Sequence, residues 1–125
     1  MWVFTDYGFF SVAKTHECDR DEVMVRARCR EDVGRFADWV DVHFVKRLKI
    51  IRRVNADYLY RVKVSQVVWA AFIAQLAAVL DYQTVKDNIS HSPLRTRAYF
   101  RVWREMVAWQ VACQNARQEG QEAAK

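Results

Sequence analysis

The stretch Asp57–Leu80, DYLYRVKVSQVVWAAFIAQLAAVL, decides the fold because it places a strand directly before an apolar helix. Apolar residues alternate with others between residues 58 and 64, which is typical of a half-buried strand. The alternation predicts an apolar strand face formed by Tyr58, Tyr60, Val62 and Val64.

The second half of this stretch predicts a helix from Gln66 to about Leu80. Ser65 precedes it, and a serine side chain at this position can accept a hydrogen bond from a free N–H group of the first turn. From Val67 to Leu80 the one polar residue is Gln75. A helix that is apolar nearly all round is expected to be covered on most sides.

The chain before this stretch predicts three further strands and a helix. Two aromatic, β-branched segments, 2–5 and 9–14, flank Asp6-Tyr7-Gly8 and indicate a hairpin. Residues 23–29 alternate again. A helix starts at Glu31 and continues to Phe44 with apolar residues three and four apart. Two endings fit: the helix extends to Ile51, or Lys49–Val54 is a short strand, which its β-branched residues favour.

After the apolar helix, residues 81–89 form a turn of helix or a loop, and Ser92-Pro93 caps a long helix that begins at Leu94. The order β-β-β-α-(β)-β-α-α predicts an α+β protein. We expect a mostly antiparallel sheet of four to five strands with two to three helices packed on one face. A single domain over residues 1–114 is expected, with a frayed tail over residues 115–125.

The predicted core contains side chains from the strands and from all the main helices. Within it, Leu76→Ala is expected to cost roughly 2–5 kcal/mol of unfolding free energy. Its members are Val25, Phe36, Val62, Trp69, Phe72, Ile73, Leu76 and Trp103.

Composition limits the class of protein. The three cysteines, Cys18, Cys29 and Cys113, form no C-x-x-C pair and are interpreted as reduced thiols of a cytoplasmic protein. The apolar run in the second helix is too short to span a bilayer, and the opening MWVFTDYGFF lacks the features of a signal peptide. The net charge is +5, and residues 41–63 carry seven basic against two acidic side chains.

Several segments of the chain resemble, in the same order, a family of small bacterial one-domain proteins with no established activity. The matching segments are MWVFTDYGFFSV, VMVRARC, ADYLYRVKVS, LDYQTVKDNI and RAYFRVW. The resemblance implies a one-domain α+β protein and assigns no site.

No established catalytic motif is present, and we predict no metal, cofactor or catalytic residue. Three glycines cannot build a phosphate-binding loop or a dinucleotide fingerprint. The adjacent His16, Glu17 and Cys18 lack the spacing of a metal site. The three Asp-Tyr pairs are better explained as turns. Cys29 could be proposed as a nucleophile with His43 as its base, but Cys29 lies on the apolar face of its strand, where a thiol is usually inert.

Two surfaces could bind a macromolecule. On the last helix Arg97, Arg101 and Arg104 share one side, and Trp103 or Trp109 is expected to be partly exposed, which is typical of a protein interface. On the uncovered face of the sheet, basic residues beside an aromatic ring could hold a single-stranded nucleic acid. The residues of this second hypothesis are Arg26, Arg28, Arg61, Lys63 and Phe10, or Phe4 in place of Phe10.

The first functional hypothesis is a non-catalytic interaction protein with a protein partner, such as an accessory or inhibitor protein from a mobile element that antagonises a host defence complex. The second is the nucleic-acid-binding module. The third is a small enzyme with an unrecognised site. No membrane partner is expected, and the oligomeric state is left open.

Overall fold

The computed structural model describes the backbone of the whole chain and the side chains of residues 1–81 and 86–125. The described backbone forms five strands and four helices. They follow one another as β1 (Trp2–Phe4), β2 (Phe9–Ala13), β3 (Glu22–Ala27), α1 (Arg30–Phe44), β4 (Ile51–Arg52), β5 (Tyr60–Ser65), α2 (Gln66–Ala78), α3 (Tyr82–Ser90) and α4 (Pro93–Ala123).

The strands form one antiparallel sheet in the order β1-β2-β3-β5-β4. Val12, Val25 and Val62 lie opposite one another on β2, β3 and β5, so the alternating valines meet on a single face. Helices α1 and α2 pack on that face. The α+β class and the antiparallel sheet predicted from the sequence are therefore confirmed.

Aromatic rings fill the space between the sheet and the two helices. The ring of Phe72 on α2 lies edge-on to Phe36 on α1, with 5.0 Å between the centroids, and it also packs against Trp39 and Trp69. Of the predicted core, Val25, Phe36, Val62, Trp69 and Phe72 are buried. Ile73 and Leu76 are only partly buried beside this core.

The sequence left open whether α1 extends to Ile51 or is followed by a short strand, and the end of α1 decides between the two. Val45 adopts a left-handed backbone conformation (φ 51°) directly after Phe44, and this ends the helix. The chain then forms the short edge strand β4 at Ile51–Arg52. The strand interpretation was therefore the right one.

The predictions for α2 were right in position and wrong in environment. Ser65 is the residue before the helix, but its side chain makes no capping hydrogen bond. The buried side chains of α2 are Val68, Trp69 and Phe72, whereas Val67 is 73% exposed. The helix covers the sheet with one side only, so the expectation of cover on most sides was wrong.

The chain divides into two compact units, residues 1–85 and residues 86–125. The second unit is dominated by α4, which starts at Pro93 with the Ser92 side chain accepting a hydrogen bond from the N–H of Arg95. No residue of α4 is buried. Trp103 is 60% exposed, so its assignment to the core was wrong. The single domain over residues 1–114 and the frayed tail over 115–125 stay predictions.

Candidate functional site

The first candidate site is the exposed side of α4. Tyr99, Val102, Met106 and Trp109 follow one another at alternating intervals of three and four residues, and Cys113 and Ala116 continue the series. This spacing keeps the side chains on one side of a helix and is the pattern of a coiled-coil seam. We call these six residues the α4 stripe.

Exposed apolar side chains line and flank the α4 stripe. Met106 is 55% exposed and Trp109 is 63% exposed, and an open groove of about 510 Å³ runs along Trp103, Met106, Trp109 and Cys113. Phe100 and Trp103 stack on each other with 5.6 Å between ring centroids. Two of the three exposed tryptophans among the described residues, Trp103 and Trp109, lie on this helix, and the third is Trp2 on β1.

The three predicted arginines of α4 are exposed but lie on a different side of the helix from the stripe. Arg97, Arg101 and Arg104 share a side, as the sequence predicted. Met106 follows Arg104 by two residues, which is about 200° around the helix axis. The arginines therefore do not line the groove that contains Trp109.

The second candidate site is the sheet face opposite the helices, which we call the open sheet face. Tyr58 lies there with the guanidinium carbon of Arg28 4.5 Å and that of Arg26 4.9 Å from its ring centroid. The Tyr58 ring also neighbours Phe9, which stacks on Phe4. The predicted position of Tyr58 on the apolar face with Tyr60 was wrong, because its ring packs against these arginines.

The five residues predicted for a nucleic acid have different environments. Arg28 is exposed, and Arg26 is half-buried and donates to Ser11. Lys63 is exposed and paired with Glu22. Arg61 is only 7% exposed.

Phe10 is fully buried in the core, so its assignment to the open sheet face was wrong. Side chains of β2 alternate between the two faces of the sheet, and Phe10 points to the face that the helices cover. The exposed rings of the hairpin are instead Trp2 and Phe4 on β1.

Part of the open sheet face is covered by the loop between β2 and β3. The Glu17 carboxylate accepts hydrogen bonds from both terminal nitrogens of Arg53, and its backbone oxygen accepts one from Lys63. The hydrogen bonds from Arg53 lower the pKa of Glu17 below its ordinary value, and the same contact raises the pKa of Arg53. Sequence reasoning missed this ion pair because its partners are 36 residues apart.

The chemical groups considered for catalysis do not come together. Cys29 precedes α1 and His43 lies in its last turn, so about 21 Å of helix separates them. His43 instead stacks on Trp39 and its Nδ1 lies 2.8 Å from the Trp39 backbone oxygen. Within residues 1–81 and 86–125, no three His, Cys, Asp or Glu side chains are placed to hold a metal ion.

Comparison with protein-family models, with curated proteins and with solved structures finds no match to this chain. The resemblance to the small bacterial family stays an interpretation of the sequence. Among the described residues, none of the helices is both long and apolar enough to cross a membrane.

Proposed function

We propose that the protein is a non-catalytic interaction protein that binds a protein partner through the α4 stripe. The observation that carries the proposal is a helix of 31 residues with no buried side chain and two tryptophans at least 60% exposed. Single exposed apolar residues are ordinary, but a contiguous apolar stripe of this length is a feature of interaction sites.

The spacing of the stripe favours a helical partner. A seam with a period of 3.5 residues fits side chains of a second helix between its own. Trp103 and Trp109 would supply the anchors, because a desolvated tryptophan often dominates the affinity of an interface. Arg97, Arg101 and Arg104, on the other side of α4, would affect the rate of encounter through long-range attraction.

Site-specific photo-crosslinking in the producing cell tests this proposal. A photoreactive residue at Gln110, between Met106 and Cys113, is compared with the same residue at Arg104 on the opposite side. The proposal expects a defined crosslinked protein from position 110 and none from position 104. Mass spectrometry then identifies the crosslinked protein. A crosslink to a second copy of this chain would be identified in the same way. Equal crosslinking from both positions, or none from 110, would contradict it.

An identified partner allows a kinetic test. Trp109→Ala is expected to raise the dissociation rate by a factor that corresponds to about 2 kcal/mol or more. Arg101→Glu is expected to slow association and to change its salt dependence instead. An accessory or inhibitor role on behalf of a mobile element is the finer form of this proposal, and a host complex subunit as the crosslinked protein would support it.

The open sheet face supports a second candidate function, the binding of single-stranded nucleic acid. The specific observation is the packing of Arg26 and Arg28 on Tyr58 beside the ring of Phe9, since bases stack on aromatic rings and arginines contact phosphates. With Glu17 bound to Arg53, Arg61 is enclosed and Lys63 is paired, so about two cations, Arg26 and Arg28, rather than four are open to an oligonucleotide. Raising salt from 50 to 200 mM should then weaken binding about sevenfold instead of roughly fiftyfold.

Fluorescence anisotropy with a labelled thymidine oligonucleotide measures this salt dependence. Arg28→Ala should weaken binding, and Arg47→Ala, in the exposed segment after α1, is the matched control. An oligonucleotide that fails to bind at low salt, or an equal loss from both variants, would exclude the open sheet face as its site.

A further inference from the structure

The most unusual charged group of the molecule is Arg61. Its side chain lies on the open sheet face and is only 7% exposed. One terminal nitrogen donates to the backbone oxygen of Tyr58 at 3.0 Å, while Nε is enclosed without a hydrogen-bond partner. Buried arginines are ordinarily paired with an anion, because an uncompensated charge in a protein interior is strongly unfavourable.

The neighbours of Arg61 increase this imbalance. Arg26 lies directly opposite it on β3, and like charges in such a cross-strand pair repel each other. Burial lowers the pKa of Arg61, the positive charges of Arg53 and Arg26 lower it further, and the weaker influence of the Glu17 carboxylate raises it. Arg26 and Arg53 thus add positive charge beside Arg61, and the three residues form a cluster of like charges.

The carboxylate that contacts this cluster comes from the loop between β2 and β3. Glu17 binds Arg53 with both oxygens, and Nε of Arg61 has no hydrogen-bond partner. The contact is at the surface, with the Glu17 side chain 27% exposed and that of Arg53 40% exposed. An exposed ion pair of this kind is weak, so a competing anion can displace it.

We propose that Arg26, Arg53 and Arg61 form a binding site for a phosphate group, and that Glu17 closes this site when it is empty. Free phosphate carries up to two negative charges and a backbone phosphodiester carries one, and both have several acceptor oxygens, so either can satisfy more than one guanidinium at once. A single carboxylate bound to Arg53 cannot do so. Glu17 therefore acts as an internal competitor that leaves when phosphate binds.

The site is independent of the α4 stripe, and either proposal can fail alone. The same chemical group is found in free phosphate and in the backbone of a nucleic acid. The location beside Tyr58 and Arg28 is compatible with both sources, so the experiment has one arm for each.

Isothermal titration calorimetry at low ionic strength tests the site with inorganic phosphate in one arm and a short thymidine oligonucleotide in the other. Glu17→Gln removes the competing charge and should tighten binding roughly threefold to tenfold. Arg53→Gln, at a partly exposed position, should weaken it. Arg47→Gln removes an equal charge from an exposed residue outside the cluster and should leave binding unchanged.

The pattern across variants decides the result. Tightening by Glu17→Gln together with weakening by Arg53→Gln supports the site, and the arm in which it appears identifies the source of the phosphate group. The proposal is overturned if Glu17→Gln leaves binding unchanged, or if Arg47→Gln weakens binding as much as Arg53→Gln. A lack of binding in both arms overturns it as well. Arg61→Met is a second test of the site if circular dichroism shows that this variant folds. If it does not fold, Arg53→Gln carries the test.

Discussion

Gly8 and Asp32 touch so closely that a Cβ atom on Gly8 would lie 2.3 Å from Cγ of Asp32. Gly8 also has a φ of 151°, a conformation that other residues rarely adopt. The buried Asp32 carboxylate accepts a hydrogen bond from the N–H of Phe9 at 3.0 Å, so this contact joins the first hairpin to α1. Both the backbone and the space at residue 8 require glycine.

Gly8→Ala is therefore expected to lower the free energy of unfolding by about 2 kcal/mol or more, because it combines backbone strain with a steric clash. Gly34→Ala is the matched control. A Cβ at Gly34 meets nothing within 4 Å, and the residue lies within α1, so alanine there should stabilise by about 0.5–1 kcal/mol. Urea denaturation of both variants measures the difference. Equal effects would show that the hairpin turn tolerates a side chain.

Phe72→Ala should destabilise the protein more than Leu76→Ala. Phe72 is fully buried among the rings of Phe36, Trp39 and Trp69, and its removal should cost about 3–5 kcal/mol. Leu76 is only partly buried, so its cost should fall below about 2 kcal/mol rather than within the range expected from the sequence. Chemical denaturation gives both values. A larger loss from Leu76→Ala would mean that the outer part of α2 is covered in solution.

Trp103→Ala should leave the stability of the sheet and its two helices almost unchanged, by under about 0.5 kcal/mol, because Trp103 is 60% exposed. Trp69→Ala is the contrasting variant, since Trp69 is 5% exposed within the core and its loss should cost about 3–5 kcal/mol. Thermal unfolding followed by circular dichroism separates the two. A strong loss from Trp103→Ala would restore this residue to the core.

The ion pair of Glu17 with Arg53 should make stability depend on pH in the acidic range. The pKa of Glu17 is lower in the folded state than its ordinary value of 4.5, so the folded state favours the charged carboxylate. The resulting stabilisation is present above the ordinary pKa and is lost as pH falls through the lowered one. Melting temperatures measured from about pH 6 to about pH 3 should decline less steeply in Glu17→Gln than in the parent. Identical slopes would show that the pair does not persist in solution.

The sequence by itself determined the local structure. The alternation in residues 23–29 and 58–64 indicated strands, and the spacing from Glu31 to Phe44 indicated a helix, because side-chain periodicity follows directly from backbone geometry. The valines of β3 and β5 were correctly assigned to one buried face for the same reason. Periodicity does not show which apolar residues the rest of the fold covers. For this reason the predicted burial of α2 on most sides and of Trp103 in the core was wrong.

Only the tertiary structure decided how the charged residues of the open sheet face are paired and how deeply they are buried. The contact of Glu17 with Arg53, the opposition of Arg26 to Arg61 and the burial of Arg61 all depend on strand order and register. These residues are far apart along the chain, and a shift of one residue in register would turn each side chain to the other face. The α4 stripe is the opposite case: its spacing was present in the sequence, but its exposure depends on which residues the fold leaves uncovered.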